Sequence, residues 1–210
     1  MPLGCFGTAG PAAAGTAKTV DNDGAQDAKK GMQPLSTLYT IGHSTRTFEE
    51  FVEVLQAHTI RAVADIRSFP MSRRLPHFNR ESLLTALPDA GIAYTWVREL
   101  GGRRKKIRDD SPHLAIRSDS FRNYADYMLT PEFESAIAGL LQRAEQSRTA
   151  YMCAEKLYFN CHRMMVSDWL LAHGHEILHL EGTGPAKPHQ PMAEARMIDG
   201  QLIYRGDRLL

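Results

Sequence analysis

Apolar and polar positions fall into alternating blocks along this chain, and the blocks switch between two periods. Short apolar runs at 38–42 (L-Y-T-I-G), 61–66 (R-A-V-A-D-I), 92–97 (I-A-Y-T-W-V), 150–154 and 176–180 (E-I-L-H-L) have the length and composition of buried strands. Between them lie stretches of helical spacing. One covers 48–57, with Thr47 as cap and Glu50 completing a capping box. A second, 79–87, carries Leu83, Leu84 and Leu87 and ends at Pro88 and Gly91. Two more are expected at 121–128 and 131–143, the latter with Thr130 as cap and Pro131 in its first turn. A last helix is expected to begin at Asn160 as N-cap, with Cys161, His162 and Arg163 in its first turn and Gly174 at its C-terminal left-handed position.

Strands alternating with helices predict an α/β fold, a mainly parallel sheet flanked by helices. Asp199-Gly200 between two apolar runs (M-I-D-G-Q-L-I-Y) predicts a small C-terminal β-hairpin with a type I′ turn. The segment 181–191, with three prolines, reads as a loop. Residues 1–34, rich in Gly, Ala, Thr, Asp and Lys without apolar periodicity, read as a disordered extension. The expected organisation is therefore 1–34 extension, 35–182 α/β domain and 183–210 loop and hairpin appendage.

Composition narrows the picture only a little. The 210 residues hold 25 Lys+Arg against 24 Asp+Glu, so the net field neither favours nor excludes a polyanionic partner, and only local patches can. Three cysteines are too few for a disulfide-stapled secreted domain and suggest a reducing compartment. No apolar run approaches a membrane span, and the N-terminus lacks a basic start followed by an apolar core, so the expected location is the cytoplasm, with no membrane partner.

The chemistry concentrates at 150–163. In parallel sheets, ligands bind outside the carboxyl ends of the strands. That rule gathers His43, Ser44, Asp65, Arg67, Cys153, Glu155 and His179 at one edge, together with Cys161, His162 and Arg163 from the start of the last helix. A helix N-terminus favours an anion and favours thiolate over thiol at Cys161. His162 shares a stripe with Met165, Val166, Trp169 and Leu170, which points its imidazole inward. Against this stands the bland reading, in which both cysteines are small buried hydrophobes and His162 is a core histidine. Arg103 and Arg104 open a basic, Gly-containing loop that continues through Lys105, Lys106 and Arg108. With Arg73 and Arg74 in a neighbouring loop it suits phosphates, and Phe78, Tyr94 and Trp96 are candidate stacking partners.

The ordered set T-I-G-H-S (40–44), D-I-R-S-F-P (65–70), E-L-G-G (99–102), C-A-E (153–155), C-H-R (161–163) and E-I-L-H-L (176–180) resembles the bacterial family named domain of unknown function 488. The resemblance covers roughly 36–182. It implies a fold and a shared site made of His43, Asp65, Arg67, Cys153, Glu155, Cys161, His162 and Arg163, and some members carry a DNA-repair label. The K-L-Y-F-N segment at 156–160 departs from the more polar loop expected of relatives, and its aromatics bear on what a pocket would admit.

Three functions follow as expectations. The first is an enzyme acting on a phosphate-containing substrate, a nucleotide or nucleic acid, with Arg67, Arg163, Arg103, Arg104, His43 and Ser44 binding it and Glu155, Asp65, Cys161 and His162 in catalysis. A phosphatase-type loop is absent, since Ser167 stands where its arginine would, so Cys161 as nucleophile is the weakest of these roles. The second is a metal-dependent hydrolase or lyase using zinc or iron on Cys153, Cys161 and His162, with His43 or His179; its C-x7-C-H spacing matches no common zinc knuckle. The third is a non-catalytic nucleic-acid-binding module relying on the basic loops.

Overall fold

A computed structural model describes residues 35–206; the expected extension at 1–34 lies outside the described residues. Five strands run parallel: β1 (Thr37–Gly42), β2 (Ala62–Asp65), β3 (Ala93–Trp96), β4 (Thr149–Cys153) and β5 (Glu176–Leu180). A two-residue strand, β6 (Lys187–Pro188), pairs antiparallel with β5, giving the order β3-β2-β4-β1-β5-β6. This strand falls in the segment expected to be all loop. Pro188 is tolerated there because an edge strand need not donate every N–H to a ladder.

The helices α1 (Phe48–Ala57), α2 (Arg80–Asp89), α3 (Asp119–Tyr127), α4 (Pro131–Gln146) and α5 (Arg163–Ala172) cover both faces. Strand alternation sorts the core accordingly. Tyr39, Ile41, Val63, Ala150 and Met152 meet Phe51, Leu55, Leu83 and Leu87 of α1 and α2. Leu38, Ala64, Tyr151 and Ile177 meet Tyr124, Phe133, Leu140, Met165 and Leu170 of the other three. Among the described residues, no helix is long and apolar enough to cross a membrane.

Local signals hold at α1, whose Thr47–Glu50 capping box forms in both directions. At α2 the helix continues through Pro88 to Asp89, two residues past the predicted end at Leu87. Pro88 sits in the last turn, where the helix is about to end. The C-terminal strands β7 (Ala195–Ile198) and β8 (Gln201–Tyr204) form the hairpin, and φ is positive at both Asp199 (50°) and Gly200 (79°), as a type I′ turn requires. Leu202 and Tyr204 of β8 enter the core. Asp168 of α5 anchors this region, accepting hydrogen bonds from Tyr204 Oη (3.0 Å), His189 Nε2 (2.8 Å) and the Met192 N–H (3.2 Å).

The connections set the position of the site. From β2 the chain leads to β3 on one side, and from the adjacent β4 it leads to β5 on the other, so their carboxyl ends border a crevice at the point where the winding reverses. At the end of β1, Gly42 lets the segment after β4 pass directly over it: a Cβ at 42 would lie 1.8 Å from the Glu155 carbonyl oxygen. Gly42→Ala is therefore expected to displace the 153–156 segment and cost at least about 1–3 kcal/mol. Denaturant unfolding checks this; an unchanged midpoint would contradict the close approach.

Candidate functional site

The floor of the crevice is built by β4 and the start of α5. Cys153 is the last residue of β4, and the chain returns through a short 3₁₀ turn, Tyr158–Asn160, to Cys161. Regular helix begins at Arg163, two residues later than expected. Cys161 is extended (φ −138°, ψ 152°) with its carbonyl accepting the Met164 N–H, and the N-cap position falls on His162, not Asn160. Tertiary contacts account for the shift. Tyr158 stacks on His179 with centroids 3.5 Å apart, which draws the 3₁₀ turn toward β5, and His162 is pinned from the opposite side.

Cys153 and Cys161 are buried free thiols. Their Sγ atoms and one ring nitrogen of His162 all lie within 4.8 Å of one another. The hydrogen-bond partners define the imidazole. The Ile66 carbonyl only accepts, so the His162 Nε2 3.0 Å away carries the hydrogen, and Nδ1 turns its lone pair to Cys161 Sγ at 3.5 Å. The two thiols share charge unequally. A hydrogen bond from Cys153 pushes the Cys161 pKa down, helped by His162 and Arg163, while the same bond and burial push Cys153 up.

Arg163 is 1% exposed and braces this floor. It donates to Thr40 Oγ1 of β1 (3.0 Å) and to the carbonyls of Glu155 (2.5 Å) and Lys156 (3.2 Å). Its two terminal nitrogens are thus engaged by Thr40 and by two backbone carbonyls, while the buried Nε has no hydrogen-bond partner among the described residues. Asp65, fully buried, is likewise engaged: it forms an ion pair with Arg67 at 2.5 Å and accepts from Tyr94 Oη at 2.8 Å. Arg67 also donates to the Phe78 carbonyl (2.8 Å) and to His43 Nε2 (3.3 Å), while His43 Nδ1 donates to the Ser44 carbonyl (2.9 Å). Burial and the neighbouring Arg67 lower the His43 pKa to about 4. These residues form a hydrogen-bonded supporting group from which Arg67 reaches the pocket lining.

A pocket of about 450 Å³ opens above the cluster. Cys153, Cys161 and His162 form its floor; Glu155 and Asn160 stand on one wall, and Arg67, Ser68, Phe69, Gly102 and Arg103 on another. Ser68 Oγ accepts the Arg103 N–H at 2.9 Å, and the Arg103 guanidinium lies 5.6 Å above the ring of Phe69, itself 65% exposed. Ser44, Arg104 and Arg163 stay outside this lining. Arg104 stacks on Tyr127 (3.9 Å) and donates to the Glu99 carbonyl. His179 is also apart: its Nε2 meets His189 Nδ1 at 3.0 Å, and burial together with His189 lowers its pKa to about 3. Tyr158 and Phe159 of the aromatic segment do not line the pocket. Farther along the basic loop, Lys106 pairs with Asp109 (2.6 Å) and Arg108 with Asp110 (3.3 Å).

With this geometry in place, comparison with family models returns a match to "Domain of unknown function DUF488" over residues 47–170. The chain belongs to the DUF488 family. Comparison with curated proteins and with solved structures gives no match. The matched span of the DUF488 domain contains every residue of the pocket floor and the Asp65–Arg67 pair, and stops short of His179, His189 and the hairpin. Sequence reasoning missed Ser68, Phe69, Gly102 and the Ile66 carbonyl, and it offered Tyr94 as a stacking partner, whereas its hydroxyl donates to Asp65. Ser68, Phe69 and Gly102 stood inside motifs already singled out, whereas Tyr94 and a backbone carbonyl carry no sequence signal for such a role.

Removing one partner of the buried pair tests the supporting layer. Arg67→Met leaves the Asp65 carboxylate without its cation and is expected to cost about 3–5 kcal/mol, with Asp65→Asn/Arg67→Met together costing less than Arg67→Met alone. Denaturant unfolding of the set checks this. Histidines kept neutral by burial, His43 and His113 (each lowered to about 4) and His179 (to about 3), set the acid response. Below the ordinary histidine pKa of about 6.5 the unfolded chain takes up protons that the fold refuses, so stability is present above pH 6.5 and is lost as pH falls toward 4. Each contributes a slope of up to about 1.4 kcal/mol per pH unit. Unfolding midpoints measured from pH 7.5 to 5 should fall, and His113→Phe should flatten the fall.

Proposed function

We propose that this DUF488 chain is an enzyme whose reaction centre is the Cys153–Cys161–His162 floor and whose substrate is a small phosphate-containing molecule carrying a planar ring, a nucleotide in the first instance. The observation that carries the reading is the composition of the pocket at the winding reversal. Reactive sulfur and imidazole lie at its bottom, and Arg103 sits over an exposed Phe69 at its rim. A base resting against Phe69 would place its phosphate beside Arg103. Glu155, exposed on the wall with no backbone constraint on its carboxylate, is the group placed to move a proton. Asp65 and Arg163 act on this reading as positioning residues, since each is spent on internal partners.

The basic loop lends less support to a non-catalytic nucleic-acid module, because Arg104, Lys106 and Arg108 are paired within the protein. Steeply salt-dependent binding to long nucleic acid, unaffected by Arg103→Ala, would favour that module instead.

Calorimetric titration with nucleoside mono-, di- and triphosphates, followed by product analysis, tests the enzyme reading. Binding weakened about 10-fold or more by Arg103→Ala, and turnover abolished by Glu155→Gln with binding retained, are the expected outcomes. Turnover that survives both Glu155→Gln and Cys161→Ser would remove the assignment of the centre.

A further inference from the structure

We infer that Cys153, Cys161 and His162 are three ligands of a divalent metal ion, zinc by their chemistry, with a fourth coordination position open to the pocket. Two sulfurs and one imidazole nitrogen are the donor types that tetrahedral zinc takes. The separation of Cys161 and His162 agrees with that geometry. Zinc lies about 2.3 Å from sulfur and about 2.0–2.1 Å from nitrogen, which sets a sulfur–nitrogen edge of about 3.5 Å. The Cys161 Sγ to His162 Nδ1 distance is 3.5 Å, and all three donors fall within 4.8 Å.

The imidazole is already prepared for the role. A ligating histidine characteristically donates its other ring N–H to a carbonyl or carboxylate, which fixes ring and tautomer. The Ile66 carbonyl supplies that partner at 3.0 Å and leaves the Nδ1 lone pair directed at the cysteines. Gly102 keeps that nitrogen clear. A Cβ at 102 would stand 2.5 Å from His162 Nδ1 and 2.7 Å from its Cγ, on the atom that would bind the metal. This accounts for a second glycine in the E-L-G-G motif, where φ is not in the left-handed region and no turn requires it.

A fourth protein ligand does not come from the histidines expected to supply one. His43 uses both ring nitrogens, on Ser44 and Arg67, and His179 meets His189 and stacks on Tyr158. Three protein ligands and an open position define a catalytic site, whereas structural zinc sites are closed by four. The open position faces the same pocket as Glu155, where a bound water or a substrate oxygen would complete the coordination. The inference deepens the enzyme reading only in that last step; the metal site itself stands on the three ligands and on Gly102.

The test uses the full chain, purified without a metal-chelating tag, reduced and stripped with chelator. Titration with cobalt(II) is expected to saturate at one equivalent with thiolate-to-metal charge-transfer absorption, and zinc(II) should bleach it. Bound zinc should also slow alkylation of Cys153 and Cys161, followed by peptide mass spectrometry. Gly102→Ala is expected to weaken zinc on the order of 10–100-fold, as loss of second-shell order does, and Cys161→Ser to abolish the absorption. If Cys161→Ser fails to fold, protection of the two thiols in the wild-type chain decides alone. No charge-transfer band and no protection in the reduced wild-type chain would overturn the inference, as would zinc affinity unchanged in a folded Cys161→Ser. Metal binding without nucleotide binding would leave this inference standing and end the preceding one; nucleotide binding to a chain that takes no metal would do the reverse.

Discussion

The buried guanidinium of Arg163 ties three segments together: the end of β1 through Thr40, the segment after β4 through the carbonyls of Glu155 and Lys156, and its own helix. The two carbonyls belong to a segment that leaves the sheet, and α5 supplies their donors. Satisfying them from α5 forces the helix start and the strand end into one place. Cys153 and Cys161, eight positions apart in sequence, become neighbours as a result. Gly42 belongs to the same constraint, because only a residue without Cβ lets the segment lie this close to β1.

A second layer of charge is nearly self-contained. Asp65, Arg67, His43 and Tyr94 exchange hydrogen bonds among themselves and with the Phe78 and Ser44 carbonyls. Burying an ion pair is worthwhile only when its remaining hydrogen-bonding capacity is used, and here it is. The layer sets the segment following β2, from which the Ile66 carbonyl reaches His162 and the Arg67 carbonyl accepts from Trp96 Nε1. Dense charge at a strand end thus serves orientation, while the reactive groups are the weakly polar sulfur and imidazole.

Much of the architecture was legible from residue patterns. The apolar runs and capping signals located five parallel strands and five helices, and Asp199-Gly200 located the hairpin, because these are local choices made by side-chain period and backbone sterics. The edge strand β6 escaped, since two residues containing a proline have no period to read. The start of α5 moved from Cys161 to Arg163 because a stacked Tyr158 and a pinned His162, both non-local contacts, outweighed an ordinary capping preference at Asn160.

For the site, the sequence by itself determined the inventory. Chain order and the rule that parallel strands end on one edge pointed to His43, Asp65, Arg67, Cys153, Glu155, Cys161, His162 and Arg163 as one neighbourhood, and also to His179, which the fold turns to His189 and Tyr158 instead. Which of them face the pocket was decided by tertiary structure alone. Arg163 and Asp65 look like ligand-binding or proton-moving groups in the sequence and are consumed by internal partners, whereas Gly102 and the Ile66 carbonyl look unremarkable and shape the imidazole. The reason is physical: a side chain's type sets which bonds it can make, but a buried polar group bonds to whatever the fold brings within about 3 Å, and that distance is a property of the packed chain.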